Sequence, residues 1–379
     1  MNYDEESIKL HRKFKGKLST KVDVDINNKD DLSIVYTPGV AAVCKEIEEK
    51  PDKIYELSSV GKTIAVISNG TAVLGLGNIG AKAAYPVMEG KAALFKSLGG
   101  VNAQPICVDI KDPEEFIKFV KQISVNYAGI NLEDIKAPEC FLIEKRLDEE
   151  LDIPVFHDDQ HGTAIVVYAG LKNALKIVKK EFSELKIVVS GAGAAGIAIA
   201  KLLLEEKPKE LLMVDSKGIL NNKRVYGDLE FNKKIIGQNT SEEGNIHDAI
   251  KGADVFIGVS KPHILTRNDV RSMSSDPIIF AMANPEPEIS VSEALEGGAR
   301  IVTNGRSDCK NQVNNLLAFP GLFAGVISSR KKISHEMKVK TAEIIASMVT
   351  DLELKQGKIL PNPLDKKVHE KIKEVISSL

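Results

Sequence analysis

Short runs of β-branched and other apolar residues alternate along this chain with segments whose apolar positions recur every three or four residues. The first pattern predicts strands and the second amphipathic helices, and their alternation predicts parallel α/β layers. In the first half the predicted strands are Thr63–Ser68, Gln104–Ile110, a short piece within Asn131–Ile135, and Pro154–Asp158. Helical patterns fill the intervals over Pro86–Gly99 and Pro113–Gly129, and a long helix is predicted from about Thr163 to Lys180, bridging two domains. The pattern then restarts, with predicted strands Leu185–Ser190, Glu210–Asp215, Asp254–Ser260, Pro277–Asn284 and Arg300–Asn304. Ile219–Asn245 is polar and poorly patterned, and reads as a loop region carrying short helices. The tail from Ser334 reads as two helices parted by the breakers Pro361 and Pro363. No internal repeat or low-complexity stretch interrupts this order.

The 379 residues are enough for two domains. The expected organisation is an α/β N-terminal domain over 1–160, a Rossmann-type dinucleotide-binding domain over 161–330, and a helical tail over 331–379 packed on the core. The chain is 43% hydrophobic and 27% charged, with a net charge of −2, values of an ordinary soluble protein. That balance argues against a nucleic-acid partner or a basic membrane-surface protein. The N-terminus is charged and lacks the apolar core of a signal peptide, and no apolar run approaches the ~20 residues of a membrane span. Cys44, Cys107, Cys140 and Cys309 form no CxxC pair and read as reduced thiols. A cytoplasmic protein is expected.

Candidate chemistry begins after the strand Leu185–Ser190. Gly191, Ala192, Gly193, Ala194, Ala195 and Gly196 form a GxGxxG turn between a β-branched strand and an apolar helix, the context in which this common pattern is informative. The first glycine permits the tight turn, the second lets backbone approach a pyrophosphate, and the third lets helix pack on strand. The free N–H groups of the helix N-terminus then receive the phosphates. Asp215 ends the next strand, where a carboxylate accepts from the adenine ribose hydroxyls and repels a 2′-phosphate. NAD is therefore the expected cofactor, with NADP left open because Lys217 stands two residues on.

Glu133-Asp134 and Asp158-Asp159 each fall at the C-terminal end of a predicted strand, the edge at which open α/β sheets bind ligands. Carboxylates converging there suit Mg²⁺ or Mn²⁺; taken alone, the same pairs are equally read as solvated loop groups or helix caps. His157 and His161 have the spacing of a helical zinc pair, but Asp158–Gly162 reads as a turn, and zinc is set aside.

Several segments together resemble the malic enzyme family, in its short, prokaryotic-type form: Tyr36-Thr-Pro-Gly-Val-Ala; Ser68–Gly80 followed by Pro86-Val-Met-Glu-Gly-Lys91; Leu132-Glu-Asp-Ile with Phe156-His-Asp-Asp-Gln-His-Gly-Thr-Ala; Ala283-Asn-Pro; Asn304-Gly-Arg-Ser-Asp; and Asn311-Gln-Val-Asn-Asn-Leu. They run in family order from about residue 10 to 330. The resemblance implies oxidative decarboxylation of malate to pyruvate with reduction of NAD(P), dependent on Mg²⁺ or Mn²⁺, with oxaloacetate decarboxylation as a side activity, in a homodimer. It implies Tyr36 as general acid, Lys91 as general base, Asp158 as the acidic partner of that lysine, Glu133, Asp134 and Asp159 as metal ligands, and Asn284 and Asn315 as substrate-carboxylate contacts, with Asn284 also near the cofactor. Without it, Tyr36 reads as a loop packing residue and Lys91 as a surface lysine. Ala72 stands where larger members carry an arginine for a substrate carboxylate, which leaves Ser68, Asn69 and Thr71 as candidates. Cys309-Lys310 replaces the Tyr-Pro common in short members. The competing readings are a malolactic-type decarboxylase without net redox, an amino-acid dehydrogenase, which needs no divalent ion, and a nucleotide-sensing module, which needs no acid, base and metal set.

Overall fold

A computed structural model of the chain describes residues 2–73, 75–227, 230–306 and 309–379. Two sheets organise it. The first has four parallel strands in the order β2-β1-β3-β4, with β1 Thr63–Ser68, β2 Asn102–Cys107, β3 Ile130–Leu132 and β4 Val155–His157. The second runs β10-β9-β8-β5-β6-β7, with β5 Lys186–Ser190, β6 Glu210–Asp215, β7 Gly218–Ile219, β8 Val255–Gly258, β9 Ile278–Ala281 and β10 Ile301–Asn304. Only β7, which folds back on β6 as a short hairpin, is antiparallel.

In both sheets the chain winds first to one side of an opening strand and then to the other. The crevices so formed, at the C-terminal ends of β1/β3 and of β5/β8, are where ligands enter such sheets. The strands read as apolar runs because both faces are covered. Ala65 and Ile67 of β1 pack with Phe116, Val120, Ile143 and Leu147, while Ile64 and Val66 face the opposite way. The second face belongs to one apolar cluster that continues through the Asp158–Val178 helix to Ile187 and Val189 of β5 and on to Val368, Ile372 and Ile376 of the tail. The tail helix Lys366–Ser378 lies on the Phe319–Ser329 helix, and a Cβ at Gly321 or Gly325 would come within 2.8 Å of the His369 carbonyl or 2.7 Å of Ile376.

Several elements depart from the sequence reading. The bridging helix starts at Asp158, not near Thr163, so the expected turn Asp158–Gly162 is its first turn. Two aspartates there complement the free amides of a helix N-terminus, and tertiary bonds to Asp158 offset the weak helix preference of the segment. The helix expected from Pro86 begins at Gly80, runs through Pro86 to Leu94 and continues as a π turn over Phe95–Gly99. Strand β2 spans Asn102–Cys107 instead of 104–110, because its register sets Asn102 beside Thr63 and Cys107 beside Ser68. The tail holds a third helix, Asp351–Lys355, opened by a Thr350/Glu353 capping box; five residues are too few for a helical period to register. Among the described residues, 219–245 contains the end of β7 and one helix, Phe231–Gly237. All four cysteines are free. No described helix is long and apolar enough to cross a membrane.

Candidate active site

The C-terminal ends of β1, β3 and β4 bring distant carboxylates together. Glu133 and Asp134 follow β3 directly and are buried, with Asp134 at φ 54°, while Asp159 sits in the first turn of the helix after β4. One oxygen from each of Glu133, Asp134 and Asp159 lies within 4.8 Å of the others. The Asp134 backbone N–H donates to Asp159 Oδ2 at 2.8 Å, and Asn131 Nδ2 donates to Glu133 Oε2 at 2.8 Å. Asn131 was missed from sequence; it stands two residues before Glu133 and so shares its face of the strand.

Lys91 enters from the Gly80–Leu94 helix with only 8% of its surface exposed. Its Nζ lies 2.9 Å from Glu133 Oε1 and 2.5 Å from Asp158 Oδ2, above the ring of Phe319 at 4.3 Å from its centroid. Asn315 Nδ2 donates to the same Asp158 oxygen at 2.5 Å, whereas Asp158 Oδ1, also buried, has no hydrogen-bond partner among the described residues. Gly162 makes this possible: a Cβ there would fall 1.9 Å from Asp158 Oδ1. Burial favours the neutral amine of Lys91, but the Asp158 and Glu133 carboxylates outweigh it and raise its pKa. Burial pushes Glu133 up, and Asp159, Asp158 and Asp134 add to that push against Lys91.

Four clustered carboxylates therefore gather around one amine in a largely buried pocket. Such crowding is costly unless positive charge offsets it. The all-oxygen donor set fits a hard divalent cation.

The dinucleotide turn joins β5 to the Ala194–Leu204 helix. Gly191 adopts φ 108°, and a Cβ on Gly196 would meet the Gly191 carbonyl oxygen at 1.8 Å, so Gly196 sets the close helix–strand contact. Beside this turn lies a cavity of about 910 Å³ lined by Gly191, Ala192, Asp215, Lys217, Arg224 and Ser260, among others. Asp215 accepts from the Lys217 backbone N–H at 2.9 Å and from both terminal nitrogens of Arg224 at 3.1 and 3.0 Å. Burial raises the Asp215 carboxyl, but Arg224 and that N–H outweigh it and hold it below the usual range. Arg224 was not foreseen from sequence, since nothing local marks a partner nine residues away.

The remaining expected site residues are less gathered. Asn284 is exposed on the loop after β9, against the 68–80 loop: a Cβ on Gly75 would lie 2.8 Å from the Asn284 carbonyl oxygen. Thr71 and Asn69 are buried and bonded to each other at 2.6 Å. Tyr36 is 67% exposed at the end of the Lys29–Val35 helix, and among the described residues no hydrogen bond joins its hydroxyl to the carboxylate cluster. Leu74 of the Ser68–Gly80 segment and Ser307-Asp308 of the Asn304–Asp308 segment lie outside the described residues.

The fold and the glycine turn define a dinucleotide-binding α/β protein with a second, carboxylate-rich crevice. The model of the malic enzyme N-terminal domain matches residues 15–148, and that of the malic enzyme NAD-binding domain matches residues 160–376. The bifunctional malic/malolactic enzyme of Bacillus subtilis is 49% identical over 380 residues, covering 100% of this chain and 93% of that one. The NAD-dependent malic enzyme of Geobacillus stearothermophilus is 52% identical over 363 residues, covering 95% and 76%. Among solved structures, the NAD-dependent malic enzyme of Thermotoga maritima matches with a TM-score of 0.94 at 46% identity, covering 98% of each chain. The chain belongs to the malic enzyme family.

Proposed function

We propose that this enzyme oxidises and decarboxylates (S)-malate to pyruvate and CO₂ while reducing NAD, with NADP as the poorer cofactor. The observation that carries this reading is the meeting of Lys91 with Glu133, Asp134, Asp158 and Asp159 at one sheet edge. Glu133, Asp134 and Asp159 would hold Mg²⁺ or Mn²⁺, which when bound supplies a Lewis acid for the substrate's C2 oxygen. The dinucleotide, held at the Gly191–Gly196 turn, accepts the C2 hydride.

The chain's own groups handle the protons. Lys91 Nζ takes the proton of the C2 hydroxyl. Glu133 cannot ligate a cation and hold the Lys91 ammonium at full strength at once, so cation binding works toward the neutral amine that a base requires. Asp158 keeps Lys91 in place, and the Phe319 ring lies under its Nζ. Asn284 and Asn315 orient the substrate carboxylates. After CO₂ leaves, the Tyr36 hydroxyl delivers a proton to C3. Oxaloacetate, the 2-oxo acid of the same skeleton, is decarboxylated as a side reaction.

Tyr36 lies in a segment rich in exposed apolar side chains, among them Phe14, Val22, Val24, Ile26 and Ile34. Surfaces of that kind mark interfaces. The active form is a homodimer with Tyr36 and Lys91 near the subunit boundary, and it works in the cytoplasm. The kinship with a bifunctional malic/malolactic enzyme supports a second reading, decarboxylation of malate to lactate without net redox.

One assay separates these readings. Enzyme, malate, Mn²⁺ and either NAD or NADP are mixed, and reduced cofactor, pyruvate and lactate are quantified. Pyruvate equal to reduced cofactor, lost with EDTA and restored by Mn²⁺, is expected. Lactate without net reduced cofactor supports the second reading instead, and full turnover by metal-stripped enzyme refutes the cation assignment.

A further inference from the structure

The turn that carries Asp158 and Asp159 is anchored from outside by one carboxylate. Glu144, on the Glu139–Glu150 helix, accepts the His157 backbone N–H at 2.9 Å on Oε1 and Gln160 Nε2 at 3.0 Å on Oε2. His161 Nε2 lies 2.8 Å from Oε1 and 3.0 Å from Oε2. These donors bracket the two aspartates in sequence, one residue before them and one and two residues after. The Glu144 side chain is only 13% exposed, so its bonds are shielded from water.

The bracket matters because, among the described residues, few other polar side chains hold this turn besides those that meet Asp158 and Asp159 themselves. The His157 ring is wholly buried and neither ring nitrogen has a hydrogen-bond partner among the described residues; Nδ1 stops 3.8 Å from Asp159 Oδ2. Its main chain is therefore the part that Glu144 fixes. A neutral acceptor would add no negative charge beside four other carboxylates. A carboxylate makes charge-assisted bonds, roughly twice as strong as neutral ones, to three donors at once.

We propose that Glu144 is a positioning residue for the cation site: it sets the 157–161 turn so that Asp159 meets Glu133 and Asp134 while Asp158 meets Lys91. The inference rests on the proposed reading of Glu133, Asp134 and Asp159 as ligands. Groups that orient metal ligands from behind are typically worth about 10–100-fold in metal affinity.

The test is direct Mn²⁺ binding to the full-length, dinucleotide-free protein, followed by electron paramagnetic resonance of the free ion, for wild type, Glu144→Gln, Glu144→Ala and His161→Asn. Dinucleotide affinity and the thermal midpoint of metal-free protein are measured alongside. Glu144→Ala is expected to weaken Mn²⁺ at least about tenfold and to leave NADH affinity within about twofold. Glu144→Gln and His161→Asn should lose less. Adding His161→Asn to Glu144→Ala should cost little more, because both act through one clamp. Unchanged Mn²⁺ affinity in the glutamate variants overturns the proposal, as does a parallel fall in both affinities, which marks general loosening of the fold. If Glu144→Ala does not fold, Glu144→Gln and His161→Asn carry the same comparison. A wild-type protein that binds no Mn²⁺ refutes the ligand assignment, and this inference falls with it; Mn²⁺ bound equally by wild type and variants refutes Glu144 alone.

Discussion

In the proposed reaction Lys91 and Tyr36 would serve different atoms of the substrate, and their surroundings differ as much as those tasks. Lys91 is buried between two carboxylates and an aromatic ring, while Tyr36 stands in the open. Lys91→Ala is expected to lower malate oxidation by at least about 10²-fold, the lower range for a general base. Tyr36→Phe should lose pyruvate formation comparably but reduce a 2-oxo acid such as oxaloacetate better than Lys91→Ala does, because that half-reaction places a proton on oxygen and none on carbon. Both variants should bind NADH as the parent does. Equal loss of 2-oxo-acid reduction would end this division of roles. At the other crevice, Asp215 holds Arg224 through both of its terminal nitrogens. Asp215→Ala removes the charge that repels a 2′-phosphate and frees the guanidinium to meet one. The ratio of kcat/KM for NADP to that for NAD should rise at least about tenfold, a change of 1.4 kcal/mol. An unchanged ratio would mean that Asp215 does not face the ribose.

The Asp158–Val178 helix links both crevices, and its first turn was the element read least well from sequence. Asp competes with the helix backbone for hydrogen bonds and Gly costs backbone entropy in a helix, so Asp158–Gly162 read as a connection. What makes it helical is tertiary: Lys91 and Asn315 bind Asp158, and Glu144 binds the residues on either side. The strands were legible because burial on both faces writes continuous apolar runs. From local pattern alone Glu133, Asp134, Asp158 and Asp159 were legible as strand-end pairs; the family resemblance gave them roles, and their convergence needed the β1/β3/β4 neighbourhood that no local pattern carries. Glu144 and Arg224 lie on other elements from the groups they hold, so no spacing rule marks them. Gly162 was visible in the sequence, but its reason was not. It leaves the space that Asp158 Oδ1 fills, since a Cβ would stand 1.9 Å from that oxygen. Gly162→Ala should therefore keep the fold and the dinucleotide site, and move Asp158 off Lys91. A fall of at least about tenfold in kcat for malate, with NADH affinity unchanged, is expected. Parent-like kcat would mean that Asp158 can shift without consequence for Lys91.

The whole molecule is stitched by one apolar cluster that runs from the first sheet through the bridging helix into the second sheet and the C-terminal helices. The N-terminal segment is the exception. Between residues 3 and 36 no residue is buried, and Tyr3, Ile8, Phe14, Val22, Val24, Ile26 and Ile34 each expose more than half of their surface. The segment is tied down by polar bonds: Lys17 Nζ donates to the Pro86 carbonyl at 2.8 Å and its backbone N–H donates to Glu89. Those bonds place it along the helix that carries Lys91. So many apolar side chains on a short, charged segment are costly to leave in water, at about 25 cal/mol per Å² of apolar surface. A second copy of the chain would cover them and bring Tyr36 toward a subunit boundary. Light scattering should accordingly give twice the 41.3 kDa of one chain. Phe14→Asp with Val22→Asp should shift the mass toward a single chain and leave helix and strand content unchanged by circular dichroism. Malate turnover should fall with the dimer and recover at high protein concentration, as a linked association requires. NADH binding, proposed at the Gly191–Gly196 turn, should not follow. A variant that stays dimeric with full turnover would place the interface elsewhere, and a parent that is monomeric at working concentration would leave the exposed segment without the partner assigned to it here.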